Sequence, residues 1–193
     1  MRKVEVIVFM IYESHPWKQD LLRRRRLIQK YNCAELLGED DDRAYTVIEK
    51  AIFYSAFIIR KLIDCKGKVS DEVDKYKFQL KGVRPIKEID LMHRWPDEDT
   101  HNWGHEETYT KPGADICNWL IHSYVFFLSY DENGVIDGFY VSSDYDRNKV
   151  LYRIELKDWL AYMDFVGKDY VVAINMHADE DKKDYVYTMK ARG

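Results

Sequence analysis

Cysteine is scarce in this chain and poorly placed for a scaffold. Cys33, Cys65 and Cys117 are odd in number, far apart and never in a CxxC pair, which excludes a disulfide framework and a zinc-finger pattern and leaves reduced thiols as the simplest account. Four prolines and nine glycines among 193 residues form no Pro/Gly/Ser-rich linker, so one domain spanning 1–193 is expected. No apolar run reaches the roughly 20 residues of a membrane helix. The opening MRKVEVIVFMIYE imitates a secretory leader, but Glu5 interrupts it and no small-residue cleavage site follows; a soluble cytoplasmic protein is the expectation. GxSxG, Walker A, GxGxxG and DxDxDG patterns are all missing, which argues against the best-marked hydrolase, nucleotide and calcium sites. Charge of one sign is missing too. With 30 basic and 34 acidic residues the net charge is −4, and no global field draws the chain to nucleic acid or acidic lipid.

What the chain has instead is aromatic surface, 15% of residues with 15 tyrosines, enough for extended aromatic faces in the core or at a binding surface. Val4 to Tyr12 reads as a strand from its β-branched residues. Pro16 opens a first helix that runs to Gly38, a residue suited to a left-handed stop. The acidic GEDDD at 38–42 supplies an N-cap for a second helix over 42–66, apolar nearly all round and therefore central or packed on a second copy of itself. Ser70, Asp71 and Glu72 open a short third helix, and KFQLKGVRPI reads as an edge strand because Pro85 cannot donate to a ladder.

From Ile116 the pattern becomes β. NWLIHSYVFFLSY and VIDGFYVSSD flank the Asn133-Gly134 turn of a hairpin, KVLYRIEL is another strand, LKDWLAYMDFVG a short helix, and YVVAINM with YVYTMKA a second hairpin. The fold expected is α+β: N-terminal helices packed on a C-terminal antiparallel sheet of four to five strands, with a short helix between strands. It divides into a helical half (14–77), a junction (86–113) and a β-rich half (114–191).

Within the junction, HRWPDEDTHNWGHEE (93–107) holds three of the six histidines, two of the five tryptophans and five carboxylates. Such residues bind metals, move protons and stack on rings, and no helical or strand period explains their proximity. The His101-x3-His105 spacing places two imidazoles on one face of a helix, and Glu106 or Asp97 completes a set suited to zinc or another divalent ion. Pro96 and Gly104 oppose a continuous helix there, and HNWGH lacks the glutamate of a zinc-protease motif. The competing reading is a polar loop whose tryptophans cap the core. No other cofactor is expected.

Arg94 and His101, with six residues between them, resemble the Arg-x4–6-His motif of the HEPN ribonuclease family. That resemblance covers these two residues and implies metal-free RNA cleavage by His101 with Arg94 beside it, on a helix of an all-α fold. Here Pro96 interrupts the motif and a β-rich half follows.

Arg23 to Arg26 cannot all occupy one solvated face, since successive helical residues turn by about 100°. Arg24 falls on the stripe marked by Trp17, Leu21, Ile28 and Tyr31 and needs a partner, either a carboxylate from GEDDD or the loop, or an anionic ligand. Cys65, at a helix C-terminus, is poorly placed to be a thiolate, and Cys117 and His122 on one strand face opposite ways. Tyr124, Phe126, Leu128 and Tyr130 share a strand face that Tyr140, Tyr152, Tyr185 and Tyr187 extend.

The leading expectation is a binding protein for a protein partner or small ligand, using His93, Trp95 and Trp103 with an exposed aromatic sheet face, and with Arg24 as a further contact. Homodimerisation through Phe53 and Phe57 of helix 42–66 is a companion expectation. Two alternatives are a hydrolase or ribonuclease using His101, His105 and Arg94, with or without a metal, and a nucleic-acid binder using Arg23 to Arg26.

Overall fold

Hydrophobic periodicity builds two kinds of element here, and side-chain contacts between them decide where each stops. The computed structural model describes residues 11–38, 42–179 and 184–191. The expected strand at 4–12 therefore lies outside the described residues except for Ile11 and Tyr12, as do residues 39–41 of the acidic cluster.

Helix α1 (Ser14–Tyr31) carries Pro16 in its first turn, where a missing N–H costs nothing. It does not run on to Gly38 as expected. The backbone leaves the helix at Asn32, and a single turn, α2 (Ala34–Leu37), follows. Gly38 is right-handed, with φ −89°, so it is not a left-handed stop. The cause of the break is tertiary: the Asn32 amide pairs with the backbone of Ile136, a contact no local pattern announces.

Helix α3 (Arg43–Asp64) matches the long central helix of the sequence reading and buries Ile48, Ile52, Ile59 and Leu62 completely. Asp42 holds its N-cap position without a side-chain cap bond. Helix α4 (Asp71–Lys75) follows Ser70, whose hydroxyl donates not to the helix but to Asp169.

Five antiparallel strands form the main sheet in the order β2-β1-β5-β4-β3: β1 (Lys77–Val83), β2 (Glu107–Pro112), β3 (Ser123–Tyr130), β4 (Ile136–Ser143) and β5 (Leu151–Glu155). Strand β1 is not the expected edge, because Pro85 lies beyond its end and both its sides are paired. Strand β2 occupies the last part of the segment expected to be irregular. Helix α5 (Gly113–Ile121) stands where β structure was expected, so Cys117 lies on a helix and His122 caps it, and the strand argument about that pair does not apply. The β3–β4 hairpin is as expected, with Gly134 at φ 74°, a value that favours glycine. Helix α6 (Leu156–Lys168) follows β5. Strands β6 (Val171–Asp179) and β7 (Asp184–Ala191) make the second hairpin as a separate two-stranded sheet.

One sheet face packs on α3, α5 and α6 around Trp159, Tyr162 and Phe139, all fully buried. The opposite face holds a smaller cluster of Val83, Ile89, Val125 and Leu151, covered by Trp103 from the junction. No helix among the described residues is long and apolar enough to cross a membrane.

Candidate functional site

The junction becomes a closed loop because its two ends hydrogen-bond to each other. The Ile86 amide donates to the Thr100 carbonyl and the Asn102 amide to the Arg84 carbonyl, each at 2.9 Å, and Pro85 and His101 form an isolated antiparallel bridge. An ion pair between Lys87 and Asp99 spans the same base. Closed loops of this kind sit on a rigid scaffold, pack on some of their own side chains and present the rest to solvent.

Four large apolar side chains, Ile86, Leu91, Met92 and Trp95, lie exposed on this loop, Met92 at 82% and Trp95 at 65%. Inside it, Trp103 donates its indole N–H to the Asp97 carbonyl at 3.1 Å and meets Tyr140 edge-on at 5.7 Å. Trp103 thus caps the second cluster, as expected of a loop whose tryptophans cover the core, whereas Trp95 does not. His101 is buried beneath the loop, with Nδ1 3.0 Å from the Thr100 hydroxyl and its ring 5.3 Å from Trp103. Burial lowers its pKa to about 4, so the imidazole is neutral near pH 7.

The other sequence-derived candidates are dispersed. His93 is exposed and bonds Asp90 through Nδ1 at 2.8 Å, while hydrogen bonds from the His93 and Met92 amides help hold the Asp90 carboxyl below its ordinary range. His105 is exposed, and Glu106 pairs with Lys81 at 2.7 Å. Arg94 lies 6.0 Å over the Trp95 ring. Among the described residues no hydrogen bond, ion pair or ring contact joins any two of His101, His105 and Arg94, and no three His, Cys, Asp or Glu side chains gather as a metal would need. The spacing from Arg94 to His101 lies on irregular backbone beside an antiparallel sheet, not on a helix of an all-α fold. Cys117 is fully buried, which pushes its thiol well above the ordinary range.

The aromatic sheet face divides in two. Phe126 packs on Phe53 at 4.6 Å and Tyr130 on Tyr45 at 6.2 Å, both towards α3, while Tyr152 stacks flat on Trp119 at 4.0 Å. Tyr124 joins the opposite cluster, because a register shift between Ser123 and Val125 turns the strand there. Tyr187 belongs to the separate β6–β7 sheet, and the Tyr185 side chain lies outside the described residues.

At that irregularity a groove of about 190 Å³ opens between three elements, lined by Glu49 and Phe53 of α3, Arg94 and Trp95 of the loop, and Ser123 to Phe126 of β3. Arg147 covers the Tyr124 ring at 4.3 Å. Strand β3 closes the sheet on this side, so its outer backbone groups have no neighbouring strand among the described residues.

The basic run is largely spent within the fold. Arg23 and Arg24 both bind Asp20, three and four residues before them, rather than GEDDD or the loop. Arg25 donates to the Leu160 carbonyl and lies 3.6 Å from Asp164, and Arg26 donates to the Leu22 carbonyl. Compared with known protein families, with curated proteins and with solved structures, the chain matches none of them.

Proposed function

We propose that this is a binding protein whose partner is another protein, engaged through the 84–102 loop and the open edge of β3. The observation that carries this reading is the groove at Tyr124, where Trp95 and Arg94 meet Phe53 and Phe126 beside a strand edge that has no neighbouring strand among the described residues. Its volume of about 190 Å³ is below the roughly 300 Å³ at which small-molecule sites begin. A hole of that size suits one anchoring side chain from a larger partner. An extended segment pairing with β3 satisfies that strand's outer backbone groups and delivers alternate side chains to the groove. The exposed Leu91, Met92 and Trp95 then supply the apolar contact around it, and Arg94 and Glu49 the polar rim.

Display of random peptides against the full chain tests the reading. Selected sequences are expected to share an aromatic or aliphatic anchor and to bind Trp95→Ala about tenfold or more weakly. Absence of selected peptides, or peptides indifferent to Trp95, refutes it.

A further inference from the structure

A roomier concavity, about 320 Å³, lies between α1 and α3 and shares no residue with the surface at Trp95. Pro16 and Trp17 form one wall, Tyr54, Phe57 and Ile58 the other, and Asp20 with Arg24 the polar end. The Trp17 and Phe57 rings are 6.4 Å apart, and Tyr54 and Phe57, one turn apart on α3, are 50% and 43% exposed. Its size falls within the range of small-molecule sites, and its make-up is theirs: apolar aromatic walls with a few convergent polar groups.

The charge at its polar end is unbalanced. Arg24 lies over Tyr54 at 4.4 Å and directs Nε and Nη2 to a single oxygen of Asp20, each at 2.9 Å. The other Asp20 oxygen is taken by Arg23 at 2.5 Å. One carboxylate thus serves two guanidinium groups, and this end of the groove carries excess positive charge.

We propose that this groove binds a small planar aromatic carboxylate, its ring against Trp17, Tyr54 and Phe57 and its carboxylate on Arg24. A monoanion balances the single excess charge, and guanidinium and carboxylate are matched in shape. A second copy is a poorer occupant. A two-fold contact centred here sets Arg23 and Arg24 against their own equivalents, like charge on like.

Calorimetric titration of the full chain with 2-naphthoate, and with its neutral analogue 2-naphthamide, tests the proposal. The acid is expected to bind one to one, and the amide about tenfold or more weakly, the ordinary worth of a hydrogen bond to a charged group. Arg24→Gln is expected to abolish the preference for acid over amide, and Phe57→Ala, at a half-exposed position, to weaken both. If Arg24→Gln does not fold, as judged by circular dichroism, the wild-type acid and amide comparison and Phe57→Ala decide alone. Equal binding of acid and amide, unsaturable binding, or affinity unchanged by Phe57→Ala overturns the proposal. So does a concentration-dependent dimer in sedimentation that Phe57→Glu dissolves, since the groove would then be filled by a second copy.

Discussion

Asn32 and Ile136 are joined by two hydrogen bonds: the Asn32 amide donates to the Ile136 carbonyl at 2.8 Å, and the Ile136 N–H donates to the Asn32 side-chain oxygen at 2.9 Å. The pair ends α1 and ties it to the first residue of β4, so one side chain fixes the first long helix against the sheet. Asn32→Ala removes both partners and leaves the backbone groups of buried Ile136 to find others. A loss of about 2 kcal/mol is expected in urea denaturation, and an unchanged midpoint counts against the clamp.

A buried ion pair makes a second tie. The Lys18 ammonium bonds the Asp169 carbonyl at 2.5 Å and lies 3.7 Å from its carboxylate, which also accepts the Ser70 N–H at 2.9 Å and hydroxyl at 2.6 Å. Burial lowers the Lys18 pKa against the opposing pull of Asp169. Asp169→Ala leaves the buried ammonium the backbone carbonyl of residue 169 but no counter-charge, and leaves two Ser70 donors without their acceptor; a cost of about 3–5 kcal/mol is expected. Lys18→Met leaves the carboxylate its two Ser70 donors and is expected to cost less. Equal losses in chemical denaturation contradict this ordering.

Tyr162 is fully buried, and its hydroxyl has no hydrogen-bond partner among the described residues. It fits because Gly113 has no side chain; a Cβ there would lie 2.4 Å from the hydroxyl oxygen. Tyr162→Phe removes an unsatisfied polar atom and is expected to stabilise the protein by roughly 1 kcal/mol. Gly113→Ala is expected to destabilise it. Thermal melting of the two variants checks the opposed signs.

His101 sets an acid limit. Its folded pKa is near 4 and its unfolded pKa about 6.5, so between those values the unfolded chain takes up a proton that the folded chain does not. Stability therefore falls as pH drops through that window, by at most roughly 3 kcal/mol from this group. His101→Asn cannot titrate and is expected to show a shallower decline over the same range. Parallel curves for the two proteins mean that His101 is not responsible.

Much of the fold is written locally. The spacing of Ile48, Ile52, Ile59 and Leu62 announces α3, and Asn133-Gly134 announces the β3–β4 turn, because each depends on neighbours in the chain. Helix α5 carries a local signal of its own, against the β expectation for that segment: Ile116, Cys117, Trp119 and Leu120 recur at helical spacing after Pro112, with Asp115 in the first turn. The break at Asn32 was not legible, since its cause lies at Ile136. The same holds for the candidate site. The sequence marks Arg94 and Trp95, but nothing in it says that Phe53 and Tyr124 meet them. It also clusters His93, His101 and His105, which the fold separates into two exposed rings and one buried ring.

Trp95 tests the account most directly, because it is exposed, its ring contributes to the groove, and its loss should leave the core intact. For a peptide selected against the full chain, affinity and thermal midpoint are measured for wild type and Trp95→Ala. The account predicts binding weaker by about tenfold or more with an unchanged midpoint; equal affinity for the two proteins would contradict it.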